Sequence, residues 1–414
     1  MNIIVQKFGG SSVADAAKLR RCAERVIAER RAGASVVVVV SAMGKSTDAL
    51  IALAHEVTDA PSKRELDMLL ATGEQVSIAL MAMTLESMGC PAVSFTGGQI
   101  GMTTDDVFTK AAILEVSADR IRRALREGRV AVVAGFQGVT PDGEITTLGR
   151  GGSDTTAVAV AAALGAARCD IFTDVDGVYT ADPRLVPTAR KLRTISYEAM
   201  LEMASLGAKV MHDRSVKFGA MYRVPIHVRH SQKDEQGTVI CAEEQQVEKK
   251  ELTGVALRQN LGRVTLTGVP DSPGVAARIF AGLAEANISV DDIIQTVTSV
   301  GGRAGKGEAT ISFTVDHGDL ADIRPLVDAM LDDIGGGAAR IDVGFAKVSA
   351  VGVGIRSHAE TAAVMFRALA DAGINIANIT TSEIKISAIV EKADGERALR
   401  TVHDAFGLGG QPAG

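Results

Sequence analysis

The chain has 414 residues, 46% of them hydrophobic and 23% charged, with a formal net charge of −6. This is the composition of a folded globular protein of two or three domains, and it excludes extended disorder, a nucleic-acid platform and a basic membrane-surface role. Cys22, Cys90, Cys169 and Cys241 are scattered and the seven histidines form no ligand cluster, so no metal site built from protein side chains is expected, and any metal should sit on oxygen ligands and substrate phosphates.

The opening MNIIVQKFGG starts with a strand pattern and lacks the basic and apolar regions of a secretory leader, while the longest apolar run, Val36 to Val40, is far short of a membrane span. A cytoplasmic protein is expected. Ile3 to Lys7 reads as a short buried strand, followed by Gly9, Gly10, Ser11 and Ser12 and then an amphipathic helix from about Asp15 to Arg31. Strand, Gly-Gly-Ser-Ser, helix is a phosphate-cradling order, because unpaired N–H groups at a helix start carry partial positive charge and glycines admit a phosphate to the backbone. Lys7 precedes the glycines, so the stretch is neither a Walker A loop nor a Rossmann fingerprint. Its charge would have to reach the phosphates from the strand end.

Ser35 to Ser41, a run of valines, has the signature of a parallel strand covered on both faces. The polar turn Ala42-Met43-Gly44-Lys45-Ser46-Thr47-Asp48 follows it, where open α/β sheets bind ligands. Lys63 to Met88 is a long helical stretch carrying LLATGEQVS. Glu74 there is either a paired structural charge or the reader of a substrate amine, and the residues alone favour the first. Pro91 to Thr96 and Val130 to Gly135 are further strands, the latter leading to Phe136-Gln137-Gly138.

The stretch Thr146 to Thr156, TTLGRGGSDTT, runs into an apolar helix, Ala157 to Leu164. Its glycines and helix start again suit an anion, and Arg150 adds a planar fork matched to carboxylate or phosphate. Asp154 inside such a site must face something positive, a metal ion or a lysine from elsewhere, and Lys7 is the candidate. A glycine loop that merely caps a helix through Ser153 would account for this stretch taken alone; the second loop at the N-terminus favours the anion site. Cys169 to Thr173 is another strand, ending in Asp174-Val175-Asp176-Gly177-Val178-Tyr179, which could hold a nucleotide's base, ribose or metal, or be only a tight turn. Thr180-Ala181-Asp182-Pro183-Arg184 continues the loop and Gly207-Ala208-Lys209-Val210 opens a later helix. The alternation through Val228 gives an α/β sandwich.

Glu243 to Glu251, EEQQVEKKE, reads as a linker. Beyond it GVPDSPGVAARIFAGLAEANISVDDI is echoed by GVGIRSHAETAAVMFRALADAGINIANI, pairing Phe280 with Phe366, Leu283 with Leu369, Ile288 with Ile374 and Val290 with Ile376. Each unit reads as a ferredoxin-like βαββαβ whose sheets should pair side by side. The expected division is residues 1–245 for the first domain, 246–262 for linker and lead-in strand, 263–345 and 346–407 for the repeats, and 408–414 for a disordered tail.

KFGGSSVAD, VVVVVSAMGKSTD, LLATGEQVS, SFTGGQ, AGFQG, TTLGRGGSDTTAVA, TDVDGVYTADPR and ISYEAMLEMASLGAKV together resemble the bacterial aspartate kinases of the amino-acid kinase superfamily, and the C-terminal repeat resembles that family's paired ACT domains. The resemblance implies an α/β/α sandwich followed by two ACT domains. It also implies ATP- and Mg²⁺-dependent phosphorylation of the aspartate side-chain carboxylate, the first step towards lysine, threonine and methionine, with feedback inhibition by lysine or threonine at the ACT domains. It further implies a homo-oligomer through ACT domains or an assembly with a shorter copy of the ACT half. No methionine occurs between Met221 and Met330, so such a copy would need another start codon, for instance at Val247. The alternatives are a kinase for another small acid, such as glutamate or N-acetylglutamate, and an amino-acid sensor with a non-catalytic kinase half.

By the same resemblance Lys7 touches the transferring phosphoryl group and Asp154 orients it. Arg150 grips the α-carboxylate, Glu74 the amino group, and Thr47 and Ser153 lie near the side-chain carboxylate, with Gly151 and Gly152 beside them. Phe8, Gly9, Gly10, Ser11 and Ser41 belong to the phosphate cradle. Thr173, Asp174, Tyr179, Asp182, Arg184, Lys209 and Val210 match nucleotide positions. Asp271, Gly274, Ala276, Ile288, Val290 and Gln295 in the first repeat, and Asn375, Ile376, Ser382 and Glu383 in the second, match effector positions. Three places depart from the family's usual pattern: Asp213 in HDRSV, Ala359 and Glu360 after Ser357-His358, and VRHSQ at Val228 to Gln232.

Overall fold

The computed structural model describes residues 1–206, 210–242, 252–286, 288–299, 307–352, 355 and 359–410. The expected linker, 243–251, lies outside them. The chain divides into two compact units, Met1–Thr180 with Arg190–Lys249, and Ala181–Ala189 with Lys250–Gly414.

The first unit opens with β1 (Ile3–Phe8), α1 (Ala16–Arg31), β2 (Ser35–Val40), α2 (Ser46–Val57) and α3 (Lys63–Ser87). Then come β3 (Ala92–Phe95), β4 (Met102–Thr104), β5 (Ile113–Val116), α4 (Asp119–Arg126), β6 (Val130–Ala134), β7 (Gln137–Val139) and β8 (Ile145–Thr147). It closes with α5 (Gly152–Leu164), β9 (Arg168–Thr173), β10 (Thr194–Ser196), α6 (Tyr197–Ser205), α7 (Asp213–Tyr222), β11 (Ile226–His230) and β12 (Thr238–Cys241). Eight of the described strands form one sheet in the order β10-β12-β11-β9-β1-β2-β6-β3, parallel from β11 through β3. The valines of β2 are buried throughout, as a strand covered on both faces requires. Ile4, Phe8, Val36, Val38 and Val40 pack against Leu19, Cys22 and Val26 of α1 and Ile78, Met81 and Leu85 of α3, while α5 covers the other face over β1 and β9.

Local chemistry sets the helix ends. Asp15 caps α1, its carboxylate accepting the Lys18 N–H (2.9 Å), and Arg30 and Arg31 sit at the negative end of the same helix. By length and composition α3 could cross a membrane, yet it turns Asp67, Leu70, Glu74, Ile78 and Leu85 into the unit. A smaller sheet, β5-β4-β7-β8, delivers the chain from β8 to the central glycine loop.

The second unit contains β13 (Gly254–Pro270), α8 (Val275–Glu285), β14 (Val290–Ser299), β15 (Glu308–Asp316), α9 (Leu320–Ile334), β16 (Ala338–Val351), α10 (Ala359–Asp371), β17 (Asn378–Thr381), β18 (Lys385–Glu391) and α11 (Gly395–Ala405). Its sheet runs β14-β15-β13-β16-β18-β17. Both repeats use β13 and β16: Leu261 to Pro270 pairs with β15, whereas Gly254 to Arg258 pairs with the half of β16 that runs on to β18. The divisions drawn at 262/263 and 345/346 therefore fall inside continuous strands, because each of these strands is long enough to serve both cores. Asp291 and Asp292 of β14 and Thr380 of β17 gather where Lys347, fully buried, reaches both aspartates.

Two further boundaries are corrected. Ala181 and Val186 lie in the core of the second repeat with Val255, Val348 and Met365, so residues 181–189 belong to the second unit although the sequence pattern grouped them with the first. The tail was expected to be disordered from residue 408, but Leu408 is an apolar side chain 4% exposed in that same core, and Gly410 N–H donates to the Thr188 carbonyl. Residues 411–414 lie outside the described residues.

Candidate active site

The carboxyl ends of β1, β2, β6 and β9 converge with the start of α5. Lys7, next to last in β1, meets Asp154 in the first turn of α5 at 2.6 Å, with side chains 10% and 14% exposed. The contact is a close, largely buried ion pair. The helix begins at Gly152, five residues before its expected apolar start, which sets Ser153 and Asp154 on the N-terminal turn, where a negative side chain is favoured by the helix dipole. Gly151 precedes it with φ +69°, and a Cβ there would lie 2.4 Å from the His212 side chain, so only glycine fits.

Two loops form the other wall. The Ser41 N–H donates to the Phe8 carbonyl (3.1 Å) and the Gly44 N–H to the Gly10 carbonyl (2.9 Å), and a Cβ on Gly10 would stand 2.6 Å from the Ala42 oxygen. Phe8 offers the cradle only backbone, since its ring is buried against Phe172 (centroids 4.8 Å apart). Ser11 is exposed and Ser41 half-buried on these loops, and Thr47 is half-buried in the first turn of α2. Glu74 points from α3 to the same place: the Ala42 N–H donates to Oε1 (2.9 Å), while Oε2 is buried without a partner. Burial pushes its carboxyl up to about 7, against the pull of the Ala42 N–H. Because the folded group titrates above its ordinary value, charging it costs stability as pH rises from about 4.5 through 7. Glu74→Gln is therefore expected to raise the melting temperature at pH 8 relative to wild type. Melts across pH 5 to 8 should show the gain vanish towards the acid end.

Arg150 is exposed and its guanidinium has no partner among the described residues. Its loop is anchored by residues that sequence reasoning missed or left without a role. Asp67, fully buried on α3, accepts the Thr109 N–H (2.9 Å), the Thr147 N–H (2.8 Å) and the Thr147 hydroxyl (2.6 Å). Arg214 of α7 donates to the carbonyls of Leu148 (3.0 Å) and Ala111 (2.7 Å). A carboxylate on the apolar stripe of α3, in step with Leu70 and Glu74, was the available signal for Asp67; Arg214 lies 103 residues from Ala111 and carried none.

On the β9 side, Thr173 Oγ1 donates to Asp174 (3.1 Å), and Tyr179 donates to both oxygens of Asp176 (3.1 and 3.0 Å). Lys191, a residue the sequence did not single out, reaches the same aspartate at 3.1 Å. Burial would raise the Asp176 carboxyl, but these bonds hold it below the usual range. Asp182 and Arg184 bind each other, Nη2 to Oδ2 at 2.6 Å, within the segment that belongs to the second unit. Lys209 lies outside the described residues and Val210 is half-buried at their edge. The unexpected Asp213 sits in the first turn of α7, next to His212, and pairs with Lys217 (3.0 Å), which offsets its charge.

In the second unit, Asp271, Gly274, Ala276 and Gln295 line a cavity of about 440 Å³ at the start of α8. Ile288 and Val290 send their side chains to the core beneath. Asn375 is exposed and Ile376 packs on the neighbouring core, while Ser382 and exposed Glu383 form the turn between β17 and β18. Ser357 and His358 lie outside the described residues, and Glu360 is exposed at the start of α10.

Residues 2–230 match the amino acid kinase family, and residues 263–332 and 348–406 each match the ACT domain. The chain is 49% identical over 413 residues to an aspartokinase of Mycolicibacterium smegmatis, covering 99% of this chain and 97% of that one. It is 50% identical over 409 residues to an aspartokinase of Thermus thermophilus, covering 99% of each. Among solved structures it is similar to E. coli aspartokinase III in complex with aspartate and ADP (R-state), with TM-score 0.80, 28% identity and coverage of 97% of this chain and 99% of that one. The T-state of that enzyme with lysine and aspartate gives TM-score 0.76 at 28% identity, covering 98% and 100%.

Proposed function

We infer the chemistry from family and geometry together: the chain belongs to the aspartokinases, amino acid kinases that carry two ACT domains. It transfers the terminal phosphoryl group of ATP to the side-chain carboxylate of L-aspartate in the cytoplasm, giving 4-phospho-L-aspartate and ADP, on the way to lysine, threonine and methionine. A carboxylate oxygen forms the new bond to phosphorus as the bond to the ADP oxygen breaks. The acceptor is ionised at neutral pH, so no general base is required, and catalysis is positioning and charge neutralisation. The observation that carries this reading is the Lys7–Asp154 pair, set where two glycine loops meet a helix start.

In this reading Lys7 neutralises the oxygens of the transferring group, and Asp154 holds the ammonium there. Gly9, Gly10, Ser11 and Ser41 cradle the phosphates. Arg150 takes the α-carboxylate, and the free oxygen of Glu74 takes the ammonium of the substrate; Thr47 and Ser153 flank the acceptor. Thr173, Asp174 and Tyr179 serve the nucleotide, with Lys209 and Val210. A Mg²⁺ ion would be carried by the nucleotide phosphates, with Asp174 offering at most one carboxylate. When bound, the ion supplies further neutralisation of phosphoryl charge.

Incubation with ATP, Mg²⁺ and aspartate, glutamate or N-acetylglutamate, trapped with hydroxylamine, is expected to yield a hydroxamate from aspartate alone. A product from N-acetylglutamate and none from aspartate would overturn the assignment. Arg150→Lys loses the planar fork and should weaken aspartate by roughly 2 kcal/mol or more. Separate KM measurements check this, because an effect confined to ATP moves Arg150 to the phosphate side.

The α8 cavity suits a free amino acid as effector: the N–H groups at the helix start take its carboxylate, and Asp271 and Gln295 its polar ends. Lysine or threonine there would shift the enzyme to a low-activity state with a coupling of about 1 to 3 kcal/mol. Gln295→Ala should abolish inhibition while uninhibited kcat stays close to normal. Titration of both amino acids at fixed aspartate tests this, and unchanged inhibition in the variant places the effector elsewhere. The chain acts as a homo-oligomer through its ACT domains or in an assembly with a shorter copy of its own ACT half.

A further inference from the structure

We propose that the groove beside α1, on the sheet face opposite the Lys7–Asp154 pair, binds a small oxyanion, a carboxylate or phosphate group, between Arg25, Arg229 and the amide of Gln6. The groove is a cavity of about 460 Å³ in the first unit, bounded by α1, β1, β9 and the segment after β11. Gln6 shares its face with Ile4 and Phe8, which pack under α1, whereas Lys7 turns the other way towards α5. The groove is thus separate from the phosphoryl-transfer site.

Three observations point to a ligand. First, Gln6 is 1% exposed and lines the cavity, yet neither its Oε1 nor its Nε2 has a partner. Buried primary amides are ordinarily satisfied. Second, two guanidinium groups stand over the same ring, Arg25 at 5.1 Å and Arg229 at 5.3 Å from the Phe172 centroid. Arg25 is held in place by neutral acceptors, the carbonyls of Ser231 (3.1 Å) and Lys233 (2.6 Å), which orient it without cancelling its charge. Burial, and then the like charge of Arg229, lower the Arg25 pKa.

Third, the carboxylate that meets this charge among the described residues, Asp234, does so at long range and from the solvent side. Asp234 lies 3.6 Å from Arg25 and 3.9 Å from Arg229 with a side chain 94% exposed. Glu29 is taken by Arg168 (2.5 Å), and Glu24 is exposed. Arg229 Nε is buried without a partner. An oxyanion bridging the two forks, with a neighbouring polar group on Gln6, would satisfy all of these atoms at once. Arg229, Ser231 and Gln232 come from the VRHSQ stretch, Val228 to Gln232, to which the transfer chemistry gives no role.

The test is calorimetric titration of the full-length protein, with ADP present to fill the phosphate cradle, using inorganic phosphate in one arm and succinate in the other. Wild type is expected to bind at least one probe saturably, with the arm that responds naming the headgroup. Arg229→Met and Gln6→Leu should each weaken that Kd at least tenfold. Gln6→Leu should also raise the ligand-free melting temperature, since it removes the orphaned amide. Arg229 lies nearer the surface, so Arg229→Met decides if the core substitution misfolds. Coincident titrations of wild type and Arg229→Met with both probes would overturn the proposal.

Discussion

Replacing Lys7 by alanine is expected to lower kcat by about three powers of ten, roughly 4 kcal/mol, while the KM for aspartate stays within about twofold. The ammonium sits at the end of β1 beside Asp154, and the charge it would neutralise grows only as the phosphoryl group leaves ADP. An interaction made mainly in the transition state is lost from kcat. Steady-state kinetics with ATP and aspartate varied independently measure both constants. A large rise in the aspartate KM at normal kcat would remove Lys7 from the phosphoryl group and make it a substrate ligand. Asp154→Asn keeps the shape of the partner without its charge and should fall between wild type and Lys7→Ala.

Asp67→Ala should be the most destabilising single change in the first unit that touches no reacting atom. Three donors, one from the loop at Thr109 and two from Thr147 at the end of β8, end on this one buried carboxylate. Truncation leaves all three without an acceptor in a site closed to water. Such orphaned groups cost about 1 to 3 kcal/mol each, and partial relaxation brings the expected loss to about 3 kcal/mol, roughly 10 °C in melting temperature for a unit of this size. Hydrogen exchange should quicken at the amides of Thr109 and Thr147 before it does in β1 or β2. Unchanged protection at those two amides would mean that Asp67 does not anchor the loop.

What could be read in advance, and what could not, follows from the range of the interactions. Lys7 and Asp154 are far apart in the chain, yet a carboxylate in an anion-binding loop demands a cation, and that demand needs no knowledge of distance. The periodicity of valines in β2 and of the α1 stripe is likewise local. The start of α5 was misjudged because Gly152 and Ser153 are poor helix formers, and their place in the first turn, after the left-handed Gly151, depends on tertiary surroundings that a local reading does not see. The capture of residues 181–189 by the second unit, and the burial of Leu408, depend on cores assembled from segments far away in sequence. Glu74 was legible as a buried carboxylate, but not the fact that one oxygen is bound and the other left open.

Because β13 and β16 each run through both repeats, the regulatory half has no seam. A chimera that exchanges one ACT repeat for that of another aspartokinase must sever two hydrogen-bonded strands in mid-course and rejoin them in register, where a slip of one residue turns every core side chain of the graft outward. Excision of the second repeat would likewise strip Gly254 to Arg258 of their partners and leave a bare edge open to aggregation. A change of effector preference is therefore best engineered by side-chain replacement within one continuous sheet rather than by exchange of one of its two repeats.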